Sequence, residues 1–303
     1  MIRIAAIALV GLAVAGVSAQ QPVFRAGVDL VNFGVFVADK AGTPLTGLKP
    51  EDFEIVEDGT RQTVQYFAGG DPENAPPLHL GFMIDMSGSM ADDMKDIRTA
   101  AIRFLDNVKR VQDITVVDFD TEVRVARFEG DDPRLVEHLR RRKPDGYTAL
   151  YDAIGVYLTG ASSQTGDKIL VMYTDGEDTR SAMNQGELLD LLKSSDVTVY
   201  AIGYLQRGGS NRLTLQQTLH RLASATGGQA FFPTNLKDLD KMYEKILGDI
   251  AARYSIGYLS TNKRQDGAWR DVKVRVLREG LKHVKIRTRS GYYAPYKASE
   301  ARR

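Results

Sequence analysis

The chain has 303 residues, of which 43% are hydrophobic and 26% are charged, enough for one large domain or two smaller ones. Its formal net charge of +1 creates no global field that would attract nucleic acid or an anionic membrane. The chain has no cysteine, which excludes disulfides, thiolate zinc sites and cysteine nucleophiles.

The first residues have the pattern of a secretion signal. Arg3 is followed by a nearly unbroken apolar stretch over residues 4–17, and the small residues Ser18 and Ala19 suit a signal peptidase. We expect a signal peptide over residues 1–19, cleaved near Ala19, and hence a secreted or periplasmic protein without a stable transmembrane anchor. A retained anchor is the alternative, although the apolar stretch is short for a membrane span.

Residues 23–70 have the composition of a small β unit. The runs VDLVNFGVFVAD and TVQYF are rich in β-branched and aromatic residues, and the turn signals KAGTP and EDGT lie between them. The segment AGGDPENAPP has the glycine, proline and asparagine content of a linker. We therefore predict three or four strands, followed by a change of architecture.

Residues 77–252 alternate strands with helices. LHLGFMI is a continuous apolar strand of the kind that a parallel sheet buries on both faces, and apolar residues at helical spacing follow it. The strands ITVVDF and EVRVARF are so close in sequence that they should form a hairpin. The pattern predicts an α/β domain with a doubly wound, mostly parallel sheet and helices on both faces.

After residue 253 the β pattern returns in YSIGYLS, RDVKVRVLR and HVKIRTRSGYY. Neither end of the chain is long enough to make a core alone. We predict that residues 20–72 and 253–296 pair into one small β-sandwich, that the α/β domain is inserted between them, and that residues 297–303 form a tail.

Oxygen-bearing side chains follow the predicted buried strands. The strand LHLGFMI is followed by Asp85, Ser87 and Ser89, and the strand KILVMYT is followed by Asp175. Thr148 lies in DGYTALYDAI, before a helix. In open α/β sheets, ligands bind beyond the carboxyl ends of the strands. Two carboxylates and three hydroxyls suit a hard cation such as Mg²⁺, which needs only one or two protein carboxylates. The four histidines are scattered and no cysteine is present, so a soft metal is disfavoured.

The two serines and two nearby aspartates also have local interpretations. Ser87 and Ser89 could cap the following helix, since hydroxyls there satisfy free N–H groups. Asp152 could support the Thr148 loop or cap locally, and Asp178 could be a loop residue or turn former. The convergence of three separate loops favours the metal site over the cap.

The motifs DMSGSM, GYTALYDAI and TDGED resemble the metal-ion-dependent adhesion site of von Willebrand factor A (VWFA) domains. That family has Asp-x-Ser-x-Ser on a first loop, Thr on a second and Asp on a third. The resemblance covers roughly residues 77–252, and the flanking β segments look similar to those of secreted bacterial VWFA-related proteins. It implies a Rossmann-like fold and a divalent cation, Mg²⁺ or else Mn²⁺ or Ca²⁺, held by five residues: Asp85, Ser87, Ser89, Thr148 and Asp175.

The resemblance implies a non-enzymatic, adhesion-type protein, because an acidic residue of a partner protein can complete the cation's shell in this family. Two alternatives stay open at this point. One is a structural subunit of an envelope assembly whose metal only stiffens the loops, and the other is a Mg²⁺-dependent hydrolase. The partner's identity and the oligomeric state do not follow from the sequence.

Overall fold

A computed structural model describes residues 30–69, 75–205, 211–281 and 283–297. The strands, numbered in chain order, are β1 Leu30–Ala38, β2 Phe53–Glu57, β3 Thr60–Gln62, β4 Val64–Gly69, β5 Leu78–Asp85, β6 Val111–Phe119, β7 Val123–Glu129, β8 Asp167–Thr174, β9 Thr198–Gly203, β10 Gln229–Phe231, β11 Tyr254–Leu259, β12 Trp269–Val276, β13 Lys285–Arg287 and β14 Gly291–Tyr293. The helices are α1 Met94–Asn107, α2 Arg134–Arg141, α3 Leu150–Ala161, α4 Gln185–Ser194, α5 Arg212–Ala225 and α6 Leu239–Ala251.

The central sheet has six strands in the order β10-β9-β8-β5-β6-β7. All neighbours in it are parallel except β6 and β7, which form an antiparallel hairpin. Every residue of β5 is buried, as expected for a strand covered on both faces. The predicted hairpin of ITVVDF with EVRVARF is confirmed.

Helices cover both faces of this sheet. On one face, Phe82 and Ile84 of β5 pack in a cluster with residues of α1, α2 and α6. On the other face, Met83 packs with residues of α3, α4 and α5. Alternate residues of one strand therefore belong to two separate cores, and the predicted doubly wound α/β architecture is confirmed.

Two four-stranded antiparallel sheets flank the α/β domain in the sequence. One has the order β13-β1-β11-β4 and the other β14-β12-β2-β3, and residues of both pack into a single cluster that includes Phe33, Ile55, Tyr258 and Val272. Each sheet takes strands from before and after the α/β domain, since β1 pairs with β11 and β2 pairs with β12. The predicted insertion of an α/β fold into a sandwich built by the chain ends is therefore confirmed.

The predicted domain boundaries and the 297–303 tail stay predictions, although the strands fall within the expected ranges. The signal peptide predicted over residues 1–19 lies outside the described residues, as do the first residues assigned to the sandwich. In the described part of the chain, no helix has the length and apolar character needed to span a membrane.

Candidate functional site

The strand order of the central sheet reverses next to β5. The chain passes from β5 to β6 on one side and later adds β8 on the other side. A crevice forms at such a reversal, beyond the carboxyl ends of the two strands, because the following connections leave in opposite directions. Asp85 ends β5 and Thr174 ends β8, so the predicted first and third loops start at this crevice.

Asp85 is fully buried and held by donors from both loops. Its Oδ1 accepts a hydrogen bond from the backbone N–H of Ser87 at 3.0 Å, and its Oδ2 accepts one from the Thr174 hydroxyl at 2.6 Å. The Thr174 hydroxyl in turn accepts from the N–H of Gly176 at 3.0 Å. This arrangement fixes the carboxylate at the base of the crevice.

The two predicted serines connect the first loop to Asp175. The hydroxyls of Ser87 and Ser89 lie 3.1 Å apart, and the Ser89 hydroxyl donates to Asp175 Oδ2 at 2.7 Å. Ser87 precedes a short 3₁₀ turn over Gly88–Met90, but its side chain makes no capping hydrogen bond there. The alternative interpretation of Ser87 as a helix cap is therefore wrong, and its hydroxyl faces the other oxygens of the site.

Asp85 lies in a setting that disfavours its negative charge. Burial, which is the largest cause, and the repulsion of the nearby Asp175 carboxylate raise the pKa of Asp85 to about 6, although the hydrogen bonds from Ser87 and Thr174 act in the opposite direction. Among the described residues, no cationic side chain is hydrogen-bonded to either carboxylate. A positive ion between the two acidic groups would therefore relieve their repulsion.

The second loop lies directly against the first. The Gly88 N–H donates to the Gly146 carbonyl at 3.2 Å, and the Asp145 N–H donates to the Met86 carbonyl at 2.8 Å. Gly146 has a φ of +79°, and a Cβ there would come within 2.6 Å of the Thr121 hydroxyl. Glycine is therefore required for this close approach of the loop that carries Thr148.

Thr148 is buried and is joined to the third loop through its backbone. Its N–H donates to the Thr179 hydroxyl at 3.0 Å, and its carbonyl accepts from the N–H groups of Thr179 and Arg180. Among the described residues, no hydrogen bond joins the Thr148 hydroxyl to the other four predicted side chains. The structure thus connects Asp85, Ser87, Ser89 and Asp175 in one network and brings Thr148 to its edge.

The third loop and the start of α3 cap each other. The Asp152 carboxylate accepts from the N–H groups of Ala182 and Met183 at 2.8 and 3.0 Å. In return, Asp178 Oδ1 accepts from the Tyr151 N–H at 3.2 Å, and the Ser181 hydroxyl accepts from the Asp152 N–H at 3.0 Å. These bonds satisfy free N–H groups of the first helical turn and hold the second and third loops together.

The oxygen donors fit a hard divalent cation. Two carboxylates and neutral hydroxyls from adjacent loops match the few-carboxylate coordination that Mg²⁺ accepts. Nowhere in the described residues do three acidic or histidine side chains gather as a metal-binding group, so a cation here would be held partly by neutral oxygens. Metal binding by these residues stays a prediction.

Two supporting residues were not identified from the sequence. Thr174 donates to Asp85, and Thr179 ties the Thr148 loop to the third loop. The signal for Thr174 was its place at the end of a buried strand, directly before Asp175 and opposite a carboxylate that needs a donor. Thr179 carries no comparable signal, because its role depends on how two loops meet.

Comparison with known proteins identifies the α/β domain. The family model of the von Willebrand factor type A domain matches residues 79–245. A search of curated proteins gives no match.

Solved structures show similarity in fold. A von Willebrand factor type A protein from Catenulispora acidiphila is 13% identical, with a TM-score of 0.50 over 91% of this chain and 76% of that one. The vWF domain of the type V pili tip protein Mfa5 from Porphyromonas gingivalis is 14% identical, with a TM-score of 0.49 over 57% of this chain and 94% of that one. The pilus adhesin SpaC from Lactobacillus rhamnosus GG is 10% identical, with a TM-score of 0.49 over 83% of this chain and 49% of that one.

Proposed function

Because the chain belongs to the von Willebrand factor type A domain family, we propose that it is a non-enzymatic, adhesion-type binding protein that works outside the cytoplasm. In this proposal Asp85, Ser87, Ser89, Thr148 and Asp175 hold a divalent cation, with Mg²⁺ as the first choice. An Asp or Glu of a partner protein would bind at the same crevice.

The observation that carries the proposal is the hydrogen-bonded network at the crevice between β5 and β8. It links Asp85 through Ser87 and Ser89 to Asp175, and within the described residues its two carboxylates have no cationic side chain as a hydrogen-bond partner. A bound cation would supply a positive centre that attracts a carboxylate from outside. The chain's own residues would orient that centre, since Thr174 and the Ser87 N–H hold Asp85 in place.

The proposal of an extracytoplasmic location depends on the leader-like first 19 residues. Its test is the N-terminal sequence of protein recovered from the envelope or medium of a bacterial host that expresses the full chain. A mature protein that begins near residue 20 supports export, and an uncleaved cytoplasmic protein contradicts it.

Metal binding is tested by titrating Mg²⁺ and Mn²⁺ into the protein by calorimetry. Asp85→Ala should weaken metal affinity by more than about 100-fold, since loss of a residue that merely supports a ligand costs about 10–100-fold. Asp131→Ala is a matched control, because Asp131 is exposed and follows β7 at the opposite edge of the sheet. Equal affinity in wild type and Asp85→Ala would contradict the site.

Partner binding is tested by pull-down from the native envelope fraction with Mg²⁺ or with EDTA. A partner captured by the wild type should be lost with EDTA and in Thr148→Ala, while Asp131→Ala keeps it. If a partner stays bound in EDTA, the cation does not gate the interaction, and the structural-subunit alternative is favoured instead.

A further inference from the structure

A second site lies at the opposite edge of the α/β domain, where that domain meets the sandwich. It is a cavity of about 660 Å³, lined by β1 and β14 of the sandwich and by the start of β8 and the end of α4. Lys168, near the start of β8, lines the cavity, and Asp175, directly after the end of β8, lies at the crevice between β5 and β8. The cavity and the crevice are therefore about 23 Å apart along the strand. Its volume is within the range of about 300–1,000 Å³ that is typical of small-molecule sites, which often occur at domain interfaces.

The charged lining of the cavity is predominantly basic. Four basic residues and one acidic residue line it: Lys168, Lys263, Arg264, Arg289 and Asp196. Lys168 is 5% exposed, and its Nζ lies 2.6 Å from Asp196 Oδ2, so these two charges cancel. The other three basic residues make no ion pair with an acidic side chain among the described residues, and the cavity keeps a net positive charge.

Arg289 is the best-fixed of these cations. Its Nη1 donates to the Ser195 carbonyl at 2.9 Å, its Nη2 donates to the Asn32 carbonyl at 2.6 Å, and its guanidinium lies 4.5 Å from the centre of the Phe33 ring. All three contacts are with neutral groups, and burial lowers the pKa of Arg289. The nearby Asp196 charge opposes this effect but forms no ion pair with Arg289, and the Arg289 Nε is buried without a hydrogen-bond partner among the described residues. An anion in the cavity would offset the cost of burying this part of the guanidinium.

Glu57 of the sandwich makes its hydrogen bonds with hydroxyl groups and not with the basic residues of the cavity. Glu57 is 1% exposed, and two of its hydrogen-bond partners, Ser260 and Tyr292, line the cavity. Its oxygens accept hydrogen bonds from the hydroxyls of Tyr258, Tyr292 and Ser260 at 2.7, 3.0 and 2.5 Å. It therefore supports residues of the wall and, among the described residues, makes no ion pair with the basic residues that line the cavity.

The rest of the lining suits a polyhydroxylated molecule. The amides of Asn262 and Gln265 can both donate and accept hydrogen bonds there, whereas the hydroxyls of Ser162, Ser194 and Ser260 already donate to other protein oxygens and remain as acceptors. Tyr293 is 38% exposed and adds an aromatic ring fixed edge-on against Trp269. We propose that this cavity binds an acidic saccharide, whose carboxylate or phosphate lies near Arg289, Lys263 and Arg264 and whose hydroxyls bind the polar wall.

The test uses the full chain and three probes by calorimetry: tri-galacturonate, its uncharged methyl ester, and glucose 6-phosphate. Tri-galacturonate and glucose 6-phosphate distinguish a carboxylate ligand from a phosphate ligand, and binding of either but not of the methyl ester supports the proposal. The methyl ester binding as tightly as the acid, or no binding of any probe, overturns it. EDTA should leave the affinity unchanged, so this result does not depend on the metal site.

Variants locate the bound anion. The double variant Lys263→Ala and Arg264→Ala should weaken binding of the preferred probe by about tenfold, which corresponds to about 1.4 kcal/mol. Arg289→Gln should weaken it at least as much, with a thermal melt to check that the chain is folded. Lys40→Ala is the control, because Lys40 is exposed and lies beyond the far end of β1. Wild-type affinity in the double variant overturns the proposal even if Arg289→Gln does not fold.

Discussion

At the scale of single residues, the crevice depends on donors that hold a buried carboxylate. Asp85 has no exposure to solvent, so its charge is tolerated only because the Ser87 N–H and the Thr174 hydroxyl point at it. Thr174 also accepts from the Gly176 N–H, which fixes the direction in which its own proton points. A single hydroxyl therefore serves both loops.

Thr174→Val should destabilise the metal-free protein by about 1–3 kcal/mol, because the buried Asp85 Oδ2 loses its hydroxyl donor and the buried Gly176 N–H loses its acceptor. Its affinity for Mg²⁺ should also fall by about tenfold, since Asp85 loses its orientation. Urea unfolding in EDTA and calorimetric titration measure the two effects. Thr174→Ser keeps the hydroxyl and serves as the control, and equal losses in both variants would show that the hydroxyl is not the cause.

At the scale of elements, the loops of the site are held by one another and by the helix that follows Thr148. The start of α3 makes no capping bond with its own N-cap residue, Ala149. Its free N–H groups are instead satisfied by Asp178 and Ser181, while Asp152 accepts from Ala182 and Met183. The position of α3 and the shape of the third loop are therefore set together.

Asp152→Ala should loosen the third loop without unfolding the sheet. The amides of Ala182 and Met183 lose their acceptor, so their hydrogen exchange should become faster while the amides of β8 keep their protection. Mass-spectrometric or NMR hydrogen exchange measures this difference. Asp190→Ala on α4 is the control. Asp190 is exposed, and its Oδ1 lies 3.8 Å from the Lys193 Nζ in an ion pair on the surface. Unchanged exchange at Ala182 and Met183 would contradict the mutual capping.

At the scale of the whole molecule, the α/β domain could be predicted well because its order is local. Continuous apolar strands such as β5 and apolar residues at helical spacing in α1 have signals within one segment. That Asp85 and Asp175 meet also followed from topology, because both come directly after buried parallel strands. The contact of Thr148 with Thr179 did not follow, since loop conformation has no periodic signal.

The existence of the sandwich could be predicted from the sequence, but the register of its strand pairs could not. The pairs of β1 with β11 and of β2 with β12 join residues that are more than 200 positions apart, such as Val35 with Tyr254 and Val272 with Glu57. No local pattern specifies the register of such pairs, because register is set by which side chains fill the common core. The junction with the α/β domain depends on the same long-range packing.

Arg253 connects the sandwich to the central sheet at that junction. It precedes β11, its Nη1 donates to the Thr198 hydroxyl of β9 at 2.7 Å, and its Nε lies 3.6 Å from Asp167 Oδ1 of β8. A Cβ on Gly34 of β1 would be 1.7 Å from the Arg253 Nη2. The absence of a side chain at Gly34 therefore allows the arginine to cross from the sandwich to the central sheet.

Gly34→Ala should displace Arg253 and destabilise the protein by about 3 kcal/mol, since a buried ion pair and a buried hydrogen bond are lost. Gly160→Ala is the matched control with the opposite sign. Gly160 lies in α3, and apart from its chain neighbours and the nearby backbone of its own helix, no atom of the described residues is within 4 Å of the point where its Cβ would lie. Alanine there should therefore stabilise the helix by about 0.5–1 kcal/mol.

Gly34→Ala also tests whether the sandwich and the α/β domain unfold together. Trp269 is the only tryptophan of the chain and lies in β12 of the sandwich, so its fluorescence reports that part, whereas circular dichroism at 222 nm reports mainly the helices of the α/β domain. In wild type the two signals should change at the same urea concentration, because the chain ends that build the sandwich also hold both ends of the α/β domain. In Gly34→Ala the fluorescence transition should move to lower urea than the dichroism transition. Coincident transitions in the variant would show that the Arg253 contact is not what couples the two parts.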